Sequence, residues 1–148
     1  FLSQVGVRYD GESDWPVIRY ADVLLMYAEV LNELEGPTNA LKYLNLVRTR
    51  AGIGSISSEE VSNRNAFRTL VEKERRLELA FENQRWFDLL RWNKAKEVVN
   101  DHIHRIEWSF YSTYTNAPGL MEDYQLILPI PQSVIDNNNG VFTQNPNY

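Results

Sequence analysis

The first strongly periodic part of the chain is residues 17 to 35, where apolar side chains recur every three or four positions. This spacing predicts an α-helix, because residues three and four apart share one helical face. The apolar set is Tyr20, Ala21, Leu24, Leu25, Tyr27, Ala28, Leu31 and Leu34. A stripe this broad leaves only a narrow polar face, so we expect the helix to pack on more than one side.

A second helix is predicted after a very short break. Gly36 and Pro37 stop the first helix, and Thr38 is the expected N-cap of a helix that runs to about Ala51. Gly52 is the expected C-terminal glycine of that helix. Such a short link predicts an antiparallel helical hairpin.

Two more helices are predicted in the middle of the chain. Ser57 and Glu60 have the spacing of a capping box, and a third helix is expected over about residues 62 to 82. Asn83 interrupts the pattern, and a fourth helix is expected over about residues 84 to 99. Two successive hairpins resemble a tetratricopeptide-like array, although no clean repeat of about 34 residues is present.

The character of the sequence changes after residue 100. Residues 102 to 119 are aromatic and polar and end on the turn pair Pro118-Gly119, which predicts short strands or a long ordered loop. In the C-terminal tail, Pro129 and Pro131 interrupt an apolar run. We therefore expect an extended segment rather than a central strand, with one helical turn over residues 133 to 137.

The pattern as a whole predicts a mainly α fold. Two tetratricopeptide-like helical hairpins are followed by an irregular aromatic loop region and an extended C-terminal segment. The chain of 148 residues is expected to form a single domain, 43% of it hydrophobic. It begins without Met, so we expect it to be a piece of a longer protein.

Charge and cysteine content exclude several classes of function. The net charge of -5 and pI near 5.1 argue against a nucleic-acid partner, since phosphate binding needs a basic face. The absence of cysteine excludes disulfides and thiolate zinc sites. No apolar run approaches the roughly 18 residues of a membrane-spanning helix.

The third predicted helix places a carboxylate among apolar side chains. At about 100° per residue, one arc of it carries Phe67, Leu70, Leu77 and Phe81. Glu74 falls inside that arc and Glu78 at its edge. An isolated buried carboxylate is strongly destabilising unless it is paired or protonated. The candidate partners are Arg48 and Arg50 of the second helix and Arg91 of the fourth.

Local contacts are also predicted within the fourth helix. Arg85 and Asp88 are three positions apart, and Asp88 and Trp92 are four apart. These pairs extend the predicted interhelical polar network, which is framed by aromatic rings. Its charged members are Glu74, Glu78, Arg48, Arg50, Arg85, Asp88 and Arg91.

The same carboxylates could also belong to a catalytic site. Glu74 and Glu78, or Glu78 and Glu82, have the i, i+4 spacing of a glycosidase pair or a di-metal site. Glycosidase acids, however, flank an open cleft about 5–9.5 Å apart, and a di-metal helix normally brings Glu-x-x-His, which this helix lacks. Structural pairing is the favoured interpretation, and no catalytic residue is predicted.

Four segments carry a resemblance to a known family. They are VIRYADVLLMYAEVLNE (residues 17 to 33), ALKYLNLVRTRAG (40 to 52), ERRLELAFENQRWFDLLRW (74 to 92) and LPIPQSVIDNNNGVFTQNPNY (128 to 148). In this order they resemble the successive signatures of the SusD/RagB family. One departure is Asn83, where the family often has Gly, and Asn also tolerates the left-handed conformation.

The resemblance implies an α-helical outer-membrane lipoprotein of Bacteroidetes type, exposed on the cell surface. Such proteins capture nutrient glycans and pass them to a SusC-like TonB-dependent transporter. The chain would be the C-terminal region of the family's longer polypeptide. Membrane association would come only through a lipidated N-terminus absent from this chain.

Candidate glycan-binding residues lie between residues 102 and 124. Sugars stack their C–H faces on aromatic rings and place hydroxyls on polar side chains. The predicted ligand contacts are Trp108, Tyr111, Tyr114 and Asn116. Trp108 and Phe110 could instead cover the helices as core residues.

His102 and His104 would share one face of an extended segment, as a metal pair would require. No third histidine is present, so a solvated or hydrogen-bonded pair is favoured, and neither a metal nor a cofactor is predicted. Two other functions remain open at this point. One is a helical-repeat adaptor that binds peptide or protein ligands, and the other is a glycoside hydrolase.

Overall fold

The computed structural model describes residues 16–105 and 120–148, and the regular structure within them is entirely helical. The predicted mainly α class is confirmed. The α-helices are α1 (Tyr20–Leu34), α2 (Pro37–Arg50), α3 (Arg64–Glu78), α4 (Arg85–Arg91), α5 (Ala95–Arg105) and α6 (Gln132–Asn137). Short 3-10 helices cover Ser58–Glu60 and Asp123–Leu126. The described residues fall into two compact units, divided between Arg85 and Trp86.

The first predicted hairpin is formed by α1 and α2, but its turn differs from the prediction. Gly36, at a φ of 95°, is the N-cap of α2, and Pro37 is its first helical residue. The predicted N-cap, Thr38, lies inside the helix. Pro37 suits the first turn because its missing N–H would have no helical partner there, and glycine readily adopts the positive φ at position 36.

The C-terminus of α2 is closed by Gly52, as the sequence predicts. Gly52, at a φ of 74°, donates its N–H to the Thr49 carbonyl at 3.1 Å, and Ile53 donates to the Arg48 carbonyl at 3.1 Å. This pair of bonds is a Schellman motif, which satisfies carbonyls that the helix end leaves free.

The predicted capping box is confirmed, but the third helix has a cap of its own. Ser57 and Glu60 form a capping box, but it encloses the 3-10 helix Ser58–Glu60. Asn63 caps α3 instead, because its Oδ1 accepts a hydrogen bond from the Ala66 N–H at 3.0 Å.

The third helix also ends earlier than predicted, at Glu78 rather than near residue 82. Phe81 and Asn83 adopt positive φ angles of 66° and 62°, which turn the chain out of the helix. Phe81 is therefore 97% exposed and Leu77 60% exposed, so their predicted place in the core is wrong. The buried arc of α3 is centred on Phe67, Val71, Glu74 and Arg75.

The core of the first unit lies between α1, α2 and α3. Its buried apolar residues are Ala21, Leu25, Ala28, Leu31, Ala40, Leu41, Leu44, Val47, Val61, Phe67 and Val71. On the other side of α1 a second apolar stripe is exposed, formed by Tyr20, Val23, Tyr27, Val30 and Leu34. None of the described helices is both long and apolar enough to cross a membrane.

The predicted fourth helix is two helices, α4 and α5, with a break at Asn93. Asn93 adopts a φ of 56° and donates to the Leu90 carbonyl at 3.0 Å, while Lys94 donates to the Leu89 carbonyl at 2.9 Å. These bonds form a second Schellman motif, with asparagine in the position usually held by glycine. The segment after residue 99, predicted to be non-helical, continues α5 to Arg105.

The C-terminal tail combines an extended segment with one short helix, α6, as predicted. The Gln144 side chain donates to the Ile130 carbonyl at 2.9 Å and accepts from the Ile130 N–H at 2.8 Å. Asn145 donates to the Leu128 carbonyl at 2.7 Å. These side chains satisfy backbone groups that a neighbouring strand would otherwise bind.

Candidate functional site

Glu74 is buried in the first unit and paired with Arg48. Its side chain is about 5% exposed, and its Oε2 accepts a hydrogen bond from Arg48 Nη1 at 2.8 Å. Arg48 also donates to the carbonyls of Gly54 at 3.1 Å and Ile53 at 3.2 Å. The guanidinium thus neutralises the carboxylate and attaches the loop after α2 to α3.

Glu78 is shared by two arginines. Arg19 Nη1 donates to Glu78 Oε1 at 3.0 Å, and Arg50 bonds the same oxygen. Arg19 Nη2 also donates to the Glu78 carbonyl at 2.9 Å. Of the predicted candidate partners of Glu74, Arg48 therefore pairs with Glu74 itself and Arg50 with Glu78.

Arg19 is a central residue that sequence reasoning missed. It also makes a two-pronged contact with Glu82, through Nε at 2.8 Å and Nη2 at 2.7 Å. Arg19 precedes the first turn of α1, so a helical wheel does not include it. No spacing rule connects Arg19 with Glu78 and Glu82, because these residues are 59 and 63 positions further along the chain.

The contact between Arg19 and Glu82 shifts the pKa of both groups. The hydrogen bond from Arg19 lowers the pKa of Glu82 below its usual 4.5, against the opposing effect of burial. The hydrogen bond to Glu82 likewise raises the pKa of Arg19. Both groups stay charged at neutral pH.

A second missed pair lies deeper in the same unit. Arg75 Nη1 donates to Asp22 Oδ1 at 2.7 Å, and both side chains are almost fully buried. Arg75 lies on the buried face of α3, where it contacts Asp22 of α1. An ion pair this buried is strongly destabilising when one partner is removed.

These contacts determine what the acidic residues can do chemically. Glu74, Glu78 and Glu82 each accept hydrogen bonds from a guanidinium. The carboxylate oxygens that accept these bonds are occupied by partners within the protein, whereas a general acid or base needs an oxygen within hydrogen-bond reach of the substrate. The arrangement suits cross-linking of α1, α2 and α3 better than proton transfer.

The predicted charged residues of the fourth helix lie in α4. Asp88 is buried, and Arg91 Nε donates to its Oδ1 at 2.9 Å, while Arg91 Nη2 forms an ion pair with the same oxygen at 2.9 Å. The Arg91 guanidinium also lies 4.6 Å from the centre of the Trp92 ring. Arg85 is the first residue of the helix.

The remaining predicted positions are distributed differently. His102 and His104 lie on α5, where two positions correspond to about 200° of rotation. The expectation that they could share a face is therefore wrong, because the segment is helical rather than extended. Trp108, Tyr111, Tyr114 and Asn116, the predicted glycan contacts, lie outside the described residues.

Comparisons with a family model and with individual proteins point to the same family. The sequence model of the SusD family matches residues 3–148. A SusD-like protein of Formosa agariphila is 38% identical over 132 residues, which cover 88% of this chain and 24% of that protein. A second SusD-like protein of the same organism is 32% identical over 145 residues, covering 94% and 27% of the two chains.

Two solved structures are similar in fold and in sequence. A SusD homolog from Bacteroides thetaiotaomicron has a TM-score of 0.70 at 35% identity and covers 90% of this chain and 27% of its own. Surface glycan-binding protein A from the same organism has a TM-score of 0.65 at 34% identity, with coverages of 89% and 24%. The chain therefore spans about a quarter of the length of the proteins it matches.

Proposed function

The chain belongs to the SusD family, and from this premise we propose that it takes part in non-catalytic binding of a glycan at the cell surface. The observation that carries the proposal is the similarity to a protein described as surface glycan-binding, which extends over 89% of the chain at 34% identity. The ligand is an oligosaccharide or polysaccharide.

Family membership also supports a place and a partner. The protein is held at the extracellular face of the outer membrane by a lipid anchor, in a bacterium of Bacteroidetes type. The glycan is handed on to a SusC-like TonB-dependent transporter. The acidic chain has no role in nucleic-acid binding, since its net charge is -5.

The contacts of the buried carboxylates support a non-catalytic role. Hydrolysis of a glycosidic bond needs one carboxylic acid that keeps its proton and a second carboxylate beside it. Glu74 and Glu78 are each bonded to at least one guanidinium, so oxygens of both carboxylates are occupied by partners within the protein. These residues serve the architecture of the scaffold.

Ring stacking is tested with isothermal titration of the full chain against a panel of oligosaccharides. Tyr111→Ala and Tyr114→Ala are expected to weaken binding roughly twofold to tenfold, since an aromatic contact contributes about 0.5–1.5 kcal/mol. Trp108→Ala and Asn116→Ala extend the test to the other predicted contacts.

Tyr20→Ala is the matched control, because Tyr20 is a 75% exposed ring on α1 in the first unit. It is expected to leave the affinity unchanged. Unaltered affinity in all four variants at residues 108, 111, 114 and 116 would contradict the assignment of the stacking site.

A further inference from the structure

A cavity of about 450 Å³ lies in the second unit, between α5 and the 3-10 helix Asp123–Leu126. Its volume falls within the range of about 300–1,000 Å³ that is usual for small-molecule sites. The lining residues are Leu90, Asn93, Ala95, Lys96, Glu97, Asn100, Asp123 and Leu126. None of these residues belongs to the polar network of the first unit or to the predicted stacking rings.

The two walls of the cavity are fixed to each other by side-chain hydrogen bonds. The Asn100 amide of α5 binds Met121 at both backbone groups, accepting from its N–H at 2.6 Å and donating to its carbonyl at 3.1 Å. Gln125 accepts from the Glu122 N–H at 2.7 Å and so closes the start of the 3-10 helix. A ligand that enters does not have to order these walls, which reduces the entropic cost of binding.

A donor and an acceptor lie side by side in this cavity. Lys96 Nζ donates to Asp123 Oδ1 at 3.0 Å, and this hydrogen bond raises the pKa of Lys96, so the ammonium stays protonated at neutral pH. The side chains of Asn93 and Glu97 have no hydrogen bond to any residue in ranges 16–105 and 120–148. They are free to bind a ligand that brings hydroxyl groups.

The charges of the cavity select against anionic ligands. The lining has one ammonium, Lys96, and two carboxylates, Glu97 and Asp123, and the Glu122 carboxylate lies 3.7 Å from the same ammonium. This excess of negative charge repels phosphates and carboxylates. Over the described ranges, no three His, Cys, Asp or Glu side chains are grouped as a metal ion would require.

A neutral polyhydroxy compound fits what remains. Two adjacent hydroxyls of a sugar ring can bind the Lys96–Asp123 pair, one accepting from the ammonium and the other donating to the carboxylate. The apolar side chains of Leu90, Ala95 and Leu126 can contact the C–H groups of the ring. We propose that this cavity binds one sugar unit of a neutral oligosaccharide, as a second glycan-binding site. This inference rests on the proposed function.

The proposal is tested by isothermal titration of the full chain with maltotriose, cellotriose, xylotriose and mannotriose. The two informative variants are Asp123→Asn and Lys96→Gln, which remove each charge and keep the side chain polar. We expect each to weaken the best-bound trisaccharide by about tenfold or more, because hydrogen bonds to charged groups are the stronger ones. Their ion pair is largely exposed, so melting temperatures should change little.

Asp136→Asn is the matched control, since it makes the same change on an exposed carboxylate of α6 that does not line the cavity. A wild-type chain that binds a trisaccharide, with unaltered affinity in both cavity variants, would overturn the cavity site and leave the proposed function standing. A wild-type chain that binds none of the four would overturn both. Loss of affinity in Asp136→Asn as well would refute the assignment to the cavity.

Discussion

Replacement of Arg48 by Met should destabilise the protein more than the same replacement of Arg50, the other arginine of α2. The substitution keeps most of the side-chain volume but leaves the Glu74 carboxylate, about 5% exposed, without its cation. Removing one partner of a buried ion pair is destabilising by about 3–5 kcal/mol. Two hydrogen bonds, to the carbonyls of Ile53 and Gly54, are lost as well, although these groups can bind water instead.

The matched control is Arg50→Met, two residues further along α2. The Arg50 side chain is 60% exposed, and Arg19 still neutralises Glu78 in its absence. An exposed pair contributes about 0–1 kcal/mol, so the control should unfold close to the wild type. The expected difference between the two variants is therefore about 2–5 kcal/mol.

Urea denaturation followed by circular dichroism measures this difference. A double variant, Arg48→Met with Glu74→Leu, should recover much of the lost stability, because no unpaired charge then remains buried. The pairwise coupling from this cycle is expected to be about 1–3 kcal/mol. Equal stability of Arg48→Met and Arg50→Met would refute the conclusion that Glu74 needs a buried counter-charge.

Three further outcomes follow from the described contacts. Asp22→Asn should lower the free energy of unfolding by about 3–5 kcal/mol, because the buried Arg75 guanidinium loses the negative charge of Asp22; thermal unfolding within 1 °C of the wild type would contradict this. Glu82→Gln should be less stable than the wild type by about 1 kcal/mol near neutral pH. Arg19 lowers the folded-state pKa of Glu82, so the extra stability of the wild type is present above pH 4.5 and is lost as the pH falls through the lower, folded-state pKa. An equal difference in stability between the two proteins at pH 3 and pH 7 would argue against the contact. Asn93→Gly should be neutral or stabilising, whereas Asn93→Ala should cost about 1 kcal/mol, since alanine disfavours a φ of 56°; the reverse order in chemical denaturation would disprove the role of the Schellman motif.

The helical part of the fold was accessible from sequence because its signals are local. The three-and-four spacing of apolar residues located α1, and Gly52 marked the end of α2. A helical wheel was sufficient to predict that Glu74 is buried. A buried carboxylate requires a cation, so the sequence also limited the partner of Glu74 to three candidate arginines, one of which was Arg48.

What the sequence did not predict depends on backbone conformation outside regular helices. Asn93 breaks the fourth helix through a left-handed conformation that asparagine adopts only in some contexts, so periodicity ran across it. Phe81 was counted as core because the wheel assumed that α3 continues past Glu78. Arg19 lies before the first turn of α1, and only the folded chain brings it to Glu78 and Glu82.

The cavity in the second unit could not be predicted from the sequence, for a similar reason. Lys96 and Asp123 are 27 positions apart and belong to separate elements, so no spacing rule connects them. The Asn100 amide joins α5 to Met121 in the same way. Aromatic rings were the sequence signal for a glycan site, whereas this cavity is lined by a charged donor, a charged acceptor and apolar side chains.

The central claim is that the protein binds a glycan without cleaving it. Isothermal titration of the full chain against the oligosaccharide panel, followed by a reducing-end assay on the same mixtures after prolonged incubation, tests both halves of that claim. We predict saturable binding of at least one oligosaccharide and no increase in reducing ends. Release of reducing ends from a bound oligosaccharide, or no binding across the panel, would contradict it.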